Sequence, residues 1–305
     1  MYLDKVVNKK RFRLSKEGLT GFLLAFIPLL GFCLFGLIPM ILAIGMAFMD
    51  IKGYNFDGAT FVGFANFADI FGDKLFGTSI VNTLYMSLST FINIVLALLI
   101  AFLLTNKKVR GKKVFRTIYF VPFVCSVVAI TLMWQWIFNY RFGIINHLIK
   151  LGGGEAIDWW NNPDLFIPVL IVMGVWSGTG YGIILYGAAL TNVNHSLYEA
   201  ARVDGANSFK SFLHITIPAI SPTTFYLLIT GIIGALQEFA RPQILSPSGG
   251  PNDVGVTVVF YLYRRAFEYR EMGQASATAW VLALIIVAFT VLNFALSKLW
   301  VSYDT

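Results

Sequence analysis

Few side chains in this 305-residue chain could make or break a bond. The three histidines, His147, His195 and His214, stand far apart, with no HExxH spacing for zinc and no serine-centred nucleophile elbow. A phosphate-binding Walker loop needs Gly, four residues, then Gly-Lys-Ser/Thr. The one Gly-Lys pair, Gly111–Lys112, has Asn106 in the first glycine's place and Lys113 in the hydroxyl's, so ATP hydrolysis by that route is excluded. Cys33 and Cys125 lie in separate apolar runs without CxxC spacing and read as small core residues. Within the long apolar runs only Glu238 and Arg241 are charged. An embedded enzyme would gather several ionisable groups at one depth, so the chain reads as non-catalytic, with no metal or cofactor of its own.

The elements that must position these residues are membrane helices. The chain is 57% hydrophobic and 13% charged, with a mean hydropathy of +0.71, against about 25% charged in soluble domains. Six runs reach the roughly 20 residues that cross about 30 Å of hydrocarbon. They lie near Leu19–Met49, Val81–Leu104, Thr117–Phe138, Leu165–Leu190, Thr223–Leu245 and Gln274–Leu296. A seventh run, Val254–Tyr263, is too short and reads as an interfacial or external helix. The first run follows Lys9, Lys10, Arg11 and Arg13, but it is about twice as long as a signal-peptide core, so a retained anchor is expected. Pro28 and Pro39 should kink or tilt it.

The net charge of +7 does not indicate nucleic acid. Fifteen of the 23 Lys and Arg fall before Leu19, between Thr105 and Arg116, between Thr191 and Pro222, or after Leu296. That is the positive-inside bias, and it places both termini in the cytoplasm.

On that same side the stretch YEAARVDGANSFKSFLHITIP, Tyr198–Pro218, interrupts the apolar pattern. Ser196 and Glu199 fit a capping box, Gly205 suits a left-handed helix stop, and Asn207 suits the cap of a second short helix. Phe209, Phe212 and Leu213 recur at helical spacing as one apolar face. The product is a helix–turn–helix knob. It either folds back on the chain's own helices or docks into a groove on another protein.

Glu199-Ala200-Ala201, three residues, Gly205, nine residues, then Ile215-Thr216-Ile217-Pro218 resembles the EAA loop of ABC importer permeases, with Ile217 where leucine is usual. Tyr198, Asp204 and Phe212 resemble the carbohydrate-uptake branch, the maltose/glycerol-phosphate type. So do NTL at Asn82–Leu84, FRTIYFVPF at Phe115–Phe123, WQWIF at Trp134–Phe138, GIIN at Gly143–Asn146, GGP at Gly249–Pro251 and WVSY at Trp300–Tyr303. The resemblance implies an all-α membrane protein with six transmembrane helices and the type I ABC importer permease fold, in a bacterial plasma membrane. Its expected organisation is a leading segment 1–75, a permease domain 76–297 holding the coupling loop 191–222, and a tail 298–305. It implies a second permease subunit, two copies of a nucleotide-binding ATPase that holds the Mg-ATP, and a solute-binding protein outside. Glu199, Ala200, Ala201, Asp204, Gly205, Phe209, Phe212, Ile215 and Pro218 would then couple the ATPase to the membrane helices.

Gly174, Ser177, Gly178 and Tyr181 share one face of the fourth run. Gly231, Gly234, Ala235 and Glu238 repeat that spacing on the fifth, with Gln237 adjacent. Gly174, Gly178 and Gly182 equally form small-xxx-small packing pairs, so helix packing and a carbohydrate pathway both fit. Glu238 should face a wet cavity or pair with Arg241 at i+3. Asn82, Asn93 and Trp176 read as helix-to-helix hydrogen bonding and interface anchoring. DWWNNPD at Asp158–Asp164 and the segment around Gly249–Pro251 are candidate contacts for the binding protein. An ion-coupled secondary transporter would show paired intramembrane carboxylates and an internal repeat, neither of which is clear. A membrane scaffold whose knob recruits a soluble partner is the other alternative.

Overall fold

The computed structural model describes residues 16–53, 55–105 and 109–302. The first thirteen residues' basic cluster, Lys107, Lys108 and the last three residues, including Tyr303, lie outside the described residues. Among the described residues, five helices are long and apolar enough to cross a membrane: Thr20–Ala47, Lys74–Thr105, Pro163–Asn192, Ser221–Leu245 and Met272–Ser297. At 1.5 Å per residue each exceeds the roughly 30 Å required.

The third expected span is not a single rod. It is two helices, Lys112–Val124 and Val127–Ile137, bent by 100°. The chain leaves helical space at Cys125 and Ser126, whose ψ values are 150° and 133°. Pro122 has already removed one amide from the preceding turn. Cys125 is exposed at this elbow and Cys33 is half-buried, so neither is the core residue that the sequence implied. The first span carries a π-helical turn, Cys33–Leu37, between the helices Lys16–Phe32 and Ile38–Ala47. It packs on the sixth span through its second half only.

Three clusters of buried side chains hold the bundle. Ala97, Ala101, Ile183, Tyr186 and Ile220 join the second, fourth and fifth spans near the knob. Phe166, Leu170 and Met173 of the fourth span meet Phe138, with Trp159 and Trp160 packed against them. The third cluster lies at the end of the bundle away from the knob and contains the short apolar run. Val256, Val258, Phe260 and Tyr261 are at most 2% exposed, so this segment is core rather than interfacial. Asn82 donates to the carbonyls of Asp253 and Val256, both at 3.1 Å. Thr83 accepts from Val258 N at 3.0 Å. The asparagine expected to link two helices thus anchors a loop.

The same end is closed by polar pairing. Asn66 donates to the carbonyls of Ala47 and Met49, both at 2.9 Å, fixing the exit of the first span. Met272 N donates to Ile51 O at 3.1 Å, tying that exit to the start of the sixth. Arg265 bridges Asp73 and Glu271, and Tyr261 donates to Asp73 at 2.9 Å.

Candidate functional site

The knob begins at Asn194, whose Oδ1 accepts from the backbone N of Ser196 at 3.0 Å and from its hydroxyl at 2.9 Å. The cap is therefore Asn194 rather than Ser196, and Glu199 does not reach back to it. The helix His195–Val203 ends as expected at Gly205, with φ +80°. Gly205 N donates to Arg202 O and Ala206 N to Ala201 O, which is the Schellman closure. Asn207 caps the second helix by accepting from Lys210 N at 2.8 Å. Tyr198 meets Thr216 hydroxyl to hydroxyl at 2.8 Å and holds the two short helices together.

The expected apolar face divides. Phe212 turns inward, its ring 4.9 Å from that of Phe102 on the second span. Phe209 stays 68% exposed, alongside Val203 at 88%. Glu199, Ala200 and Asp204 are exposed, while Ala201, Ile215 and Pro218 are half-buried. Glu199 makes no ion pair with any described residue. The knob thus packs on its own bundle through Phe212 and leaves Phe209 and Val203 exposed.

The second feature is a cleft of about 360 Å³ between the second, fourth and fifth spans, within the roughly 300–1,000 Å³ of ligand pockets. Gly174, Gly178, Tyr181, Gly231, Gly234, Ala235 and Glu238 line it as their spacing implied. Ser177 lies behind the wall, buried, accepting from Arg241 Nη2 at 3.2 Å. Gln237 does not line the cleft; it caps the C-terminus of the helix Ser221–Leu236 and is exposed.

The fourth span's glycines also serve packing. A Cβ at Gly178 would sit 2.7 Å from Asn93 Nδ2, and one at Gly182 would sit 2.6 Å from Ala97 Cβ. Small size lets the second span close on the fourth, and the same missing side chains leave the cleft.

Ser89, Thr90, Asn93 and Ala97 of the second span, Phe123 of the third and Thr230 of the fifth also line it. Asn93 accepts from Thr179 at 2.7 Å and donates to Gly174 O at 3.4 Å, the helix-to-helix role expected of it. Ser89, Asn93 and Ala97 step by four along the second span, so their spacing in the sequence already places them on one helix face. Tyr181 stacks on Phe123 at 4.8 Å and 14°, presenting an aromatic face. Trp176 packs edge-on against Trp134 at 5.8 Å.

The far end of the cleft is formed where the fifth span breaks. Its first helix ends at Leu236 and a second runs Ala240–Leu245. The freed carbonyl of Glu238 accepts from Thr257 Oγ1 at 2.6 Å, so the irregular backbone is satisfied where it borders a cavity. Glu238 Oε2 pairs with Arg241 Nη1 at 3.0 Å, and both side chains face the cleft. Sequence spacing placed Glu238 against a cavity or against Arg241, and it does both.

Trp159 donates to Asn146 Oδ1 at 3.2 Å and, like Trp160, packs on Phe138. Gly249 is buried and Gly250 rests against Phe166. Much of both motifs is thereby engaged in the fold.

A bundle of membrane-crossing helices around a cleft is the architecture of a membrane transport subunit. Residues 93–301 match the family described as binding-protein-dependent transport system inner membrane component. Over 305 residues the chain is 34% identical to the probable ABC transporter permease protein YesP of Bacillus subtilis (strain 168), covering 97% of this chain and 96% of that protein. It is 32% identical over 270 residues to the arabinooligosaccharides transport system permease protein AraP of the same organism, with coverages of 88% and 85%. A chain of the crystal structure of a bacterial alginate ABC transporter, in complex with an alginate pentasaccharide-bound periplasmic protein, matches with a TM-score of 0.81 at 25% identity. That match covers 93% of this chain and 95% of that one. The chain belongs to the inner-membrane permease family of binding-protein-dependent ABC importers and is a multi-pass membrane subunit.

Proposed function

We propose that this chain is one of two permease subunits of an ATP-driven carbohydrate importer in a bacterial plasma membrane, that sugar moves along the cleft, and that the knob receives the stroke of an ATPase. The observation that carries this is the cleft. It combines hydroxyls and an amide with a stacked aromatic face, the chemistry that binds sugar rings, and it is walled by helices on which a second subunit can close. The relatives named above, one of which carries arabinooligosaccharides and one alginate, support a carbohydrate cargo.

The energy source lies in another chain. Two copies of the ATPase hold Mg-ATP, and each docks one permease knob. Exposed Phe209 and Val203 supply the apolar contact, and Glu199 on the adjacent helix supplies the polar one. Nucleotide-driven closure of the ATPases then biases the bundle between inward- and outward-facing states, a coupling between two sites through a bistable element. An external binding protein delivers the sugar at the end away from the knob. The chain itself is non-catalytic and holds no cofactor.

Reconstitution of this chain with its partner permease, the ATPase and the binding protein in liposomes tests the proposal. Uptake of a radiolabelled neutral oligosaccharide panel is expected to require ATP inside and binding protein outside. Uptake that persists without ATP and follows an ion gradient instead would establish a secondary transporter.

A further inference from the structure

Family membership leaves the charge of the cargo open, since alginate is an acidic polysaccharide while arabinooligosaccharides are neutral. The cleft addresses it. Among the described residues its only cation is Arg241 and its only anion is Glu238. Arg241 Nη1 donates to Glu238 Oε2 at 3.0 Å, its backbone N donates to Oε1 at 3.3 Å, and Nη2 donates to Ser177 Oγ at 3.2 Å. A Cβ at Gly174 would stand 3.2 Å from Nη1, so one end of the guanidinium occupies the space that a side chain there would need. The two side chains are 21% and 16% exposed. Every other polar group in the lining is neutral: Ser89, Thr90, Asn93, Tyr181 and Thr230.

From this we infer that the cleft selects an uncharged glycan and rejects a uronate or phosphorylated one; the inference rests on the cleft being the sugar path. An anion entering here would lose water and meet a cation already committed to a carboxylate. Burying a charge without a free counter-charge is strongly unfavourable. A neutral hydroxyl ring meets hydroxyls, an amide and the Tyr181 face. Glu238 then acts as a specificity residue: it cancels the one positive charge that would otherwise capture acidic sugars.

The test uses the assembled complex in lipid nanodiscs and equilibrium binding of matched oligosaccharide pairs, the gluco- and galacto-series against their 6-carboxylate forms. The wild type is expected to favour the neutral member by about tenfold or more. Glu238→Gln, which frees Arg241, is expected to raise carboxylate binding by about tenfold, in a salt-sensitive manner. Arg241→Gln is expected to move the ratio the opposite way, so the inference stays testable should one variant fail to assemble. Preferential carboxylate binding by the wild type, or a ratio unmoved by both variants, overturns the charge inference and leaves the sugar path standing. A wild-type complex that binds no member of any pair sinks the sugar path itself, and this inference with it.

Discussion

The Tyr181 and Tyr226 hydroxyls meet at 3.1 Å, joining the fourth span to the fifth at the knob side of the cleft. Phe123 stacks on the same Tyr181 ring from the elbow of the third span. Three spans thus converge on one point between the cleft and the knob. A hydrogen bond of this kind is worth about 0.5–1.5 kcal/mol net, or roughly a two- to tenfold change in an equilibrium. If it holds the two spans in one state, Tyr181→Phe and Tyr226→Phe should each change sugar-free ATP hydrolysis of the reconstituted complex by that factor, in the same direction. The double variant should add nothing, because both remove the same bond. Additive effects in a double-mutant cycle would show that the two hydroxyls act separately.

The same cleft shows what a sequence can and cannot display. Helical spacing collected Gly174, Gly178, Tyr181, Gly231, Ala235 and Glu238 correctly, because side chains at i, i+3 and i+4 share a face in any helix. Gln237 has no place on that face: it follows Leu236 as the helix cap and stays outside the cleft, whereas Glu238, one residue further, lines it. The left-handed turn at Gly205 and the cap at Asn207 were legible from residue type alone. Asn194 and Ser196 are both good caps; the choice falls on Asn194 because its Oδ1 reaches two donors at once. The elbow at Cys125 and Ser126 has no compositional mark beyond Pro122. The burial of Val256–Tyr261 was hidden by distance, since it depends on Asn82 and Thr83, more than 170 residues away.

Asn82 is therefore a stability position. It is 6% exposed and satisfies two carbonyls of the loop at the end away from the knob. Asn82→Leu keeps the volume but leaves Val256 O without this donor, while Asp253 O keeps Val256 N at 3.0 Å. Equilibrium unfolding in mixed micelles should show a loss of about 1–3 kcal/mol, the cost of one orphaned buried group. A loss below about 0.5 kcal/mol would mean that water replaces the amide.

Gly205 and Gly77 separate the knob from the rest of the surface. At Gly205 the φ of +80° disfavours any β-branched residue, by about 1–3 kcal/mol. Gly205→Val is expected to deform the turn between the two knob helices, leaving the complex assembled but reducing the ratio of sugar moved to ATP hydrolysed. Gly77, away from the cleft, has open space where a Cβ would go, so Gly77→Ala should leave that ratio within experimental error. Transport and ATPase measured together in proteoliposomes check both; an unaltered ratio in Gly205→Val would remove the knob from the coupling path.

Acid should loosen the end of the bundle away from the knob. Burial opposes ionisation of Asp73, but hydrogen bonds from Leu75 N, Tyr261 and Arg265, with the charge of Arg265, outweigh it and hold the carboxyl below its ordinary value. A carboxyl whose folded value is depressed stabilises the protein above its unfolded value, near 4. That contribution is lost as pH falls from about 4 through the lower native value. Asp73 ties the start of the second span to Tyr261 and Arg265, and Arg265 in turn holds Glu271 at 2.6 Å beside the sixth span. Its protonation should thus loosen this end while the knob keeps its fold. Asp73→Asn should lower stability at neutral pH and flatten the dependence below about pH 4. Hydrogen exchange at Val258–Tyr263, compared between pH 7 and pH 3.5 in the two proteins, reads this directly; identical pH dependence in both would relocate the acid-sensitive group away from Asp73.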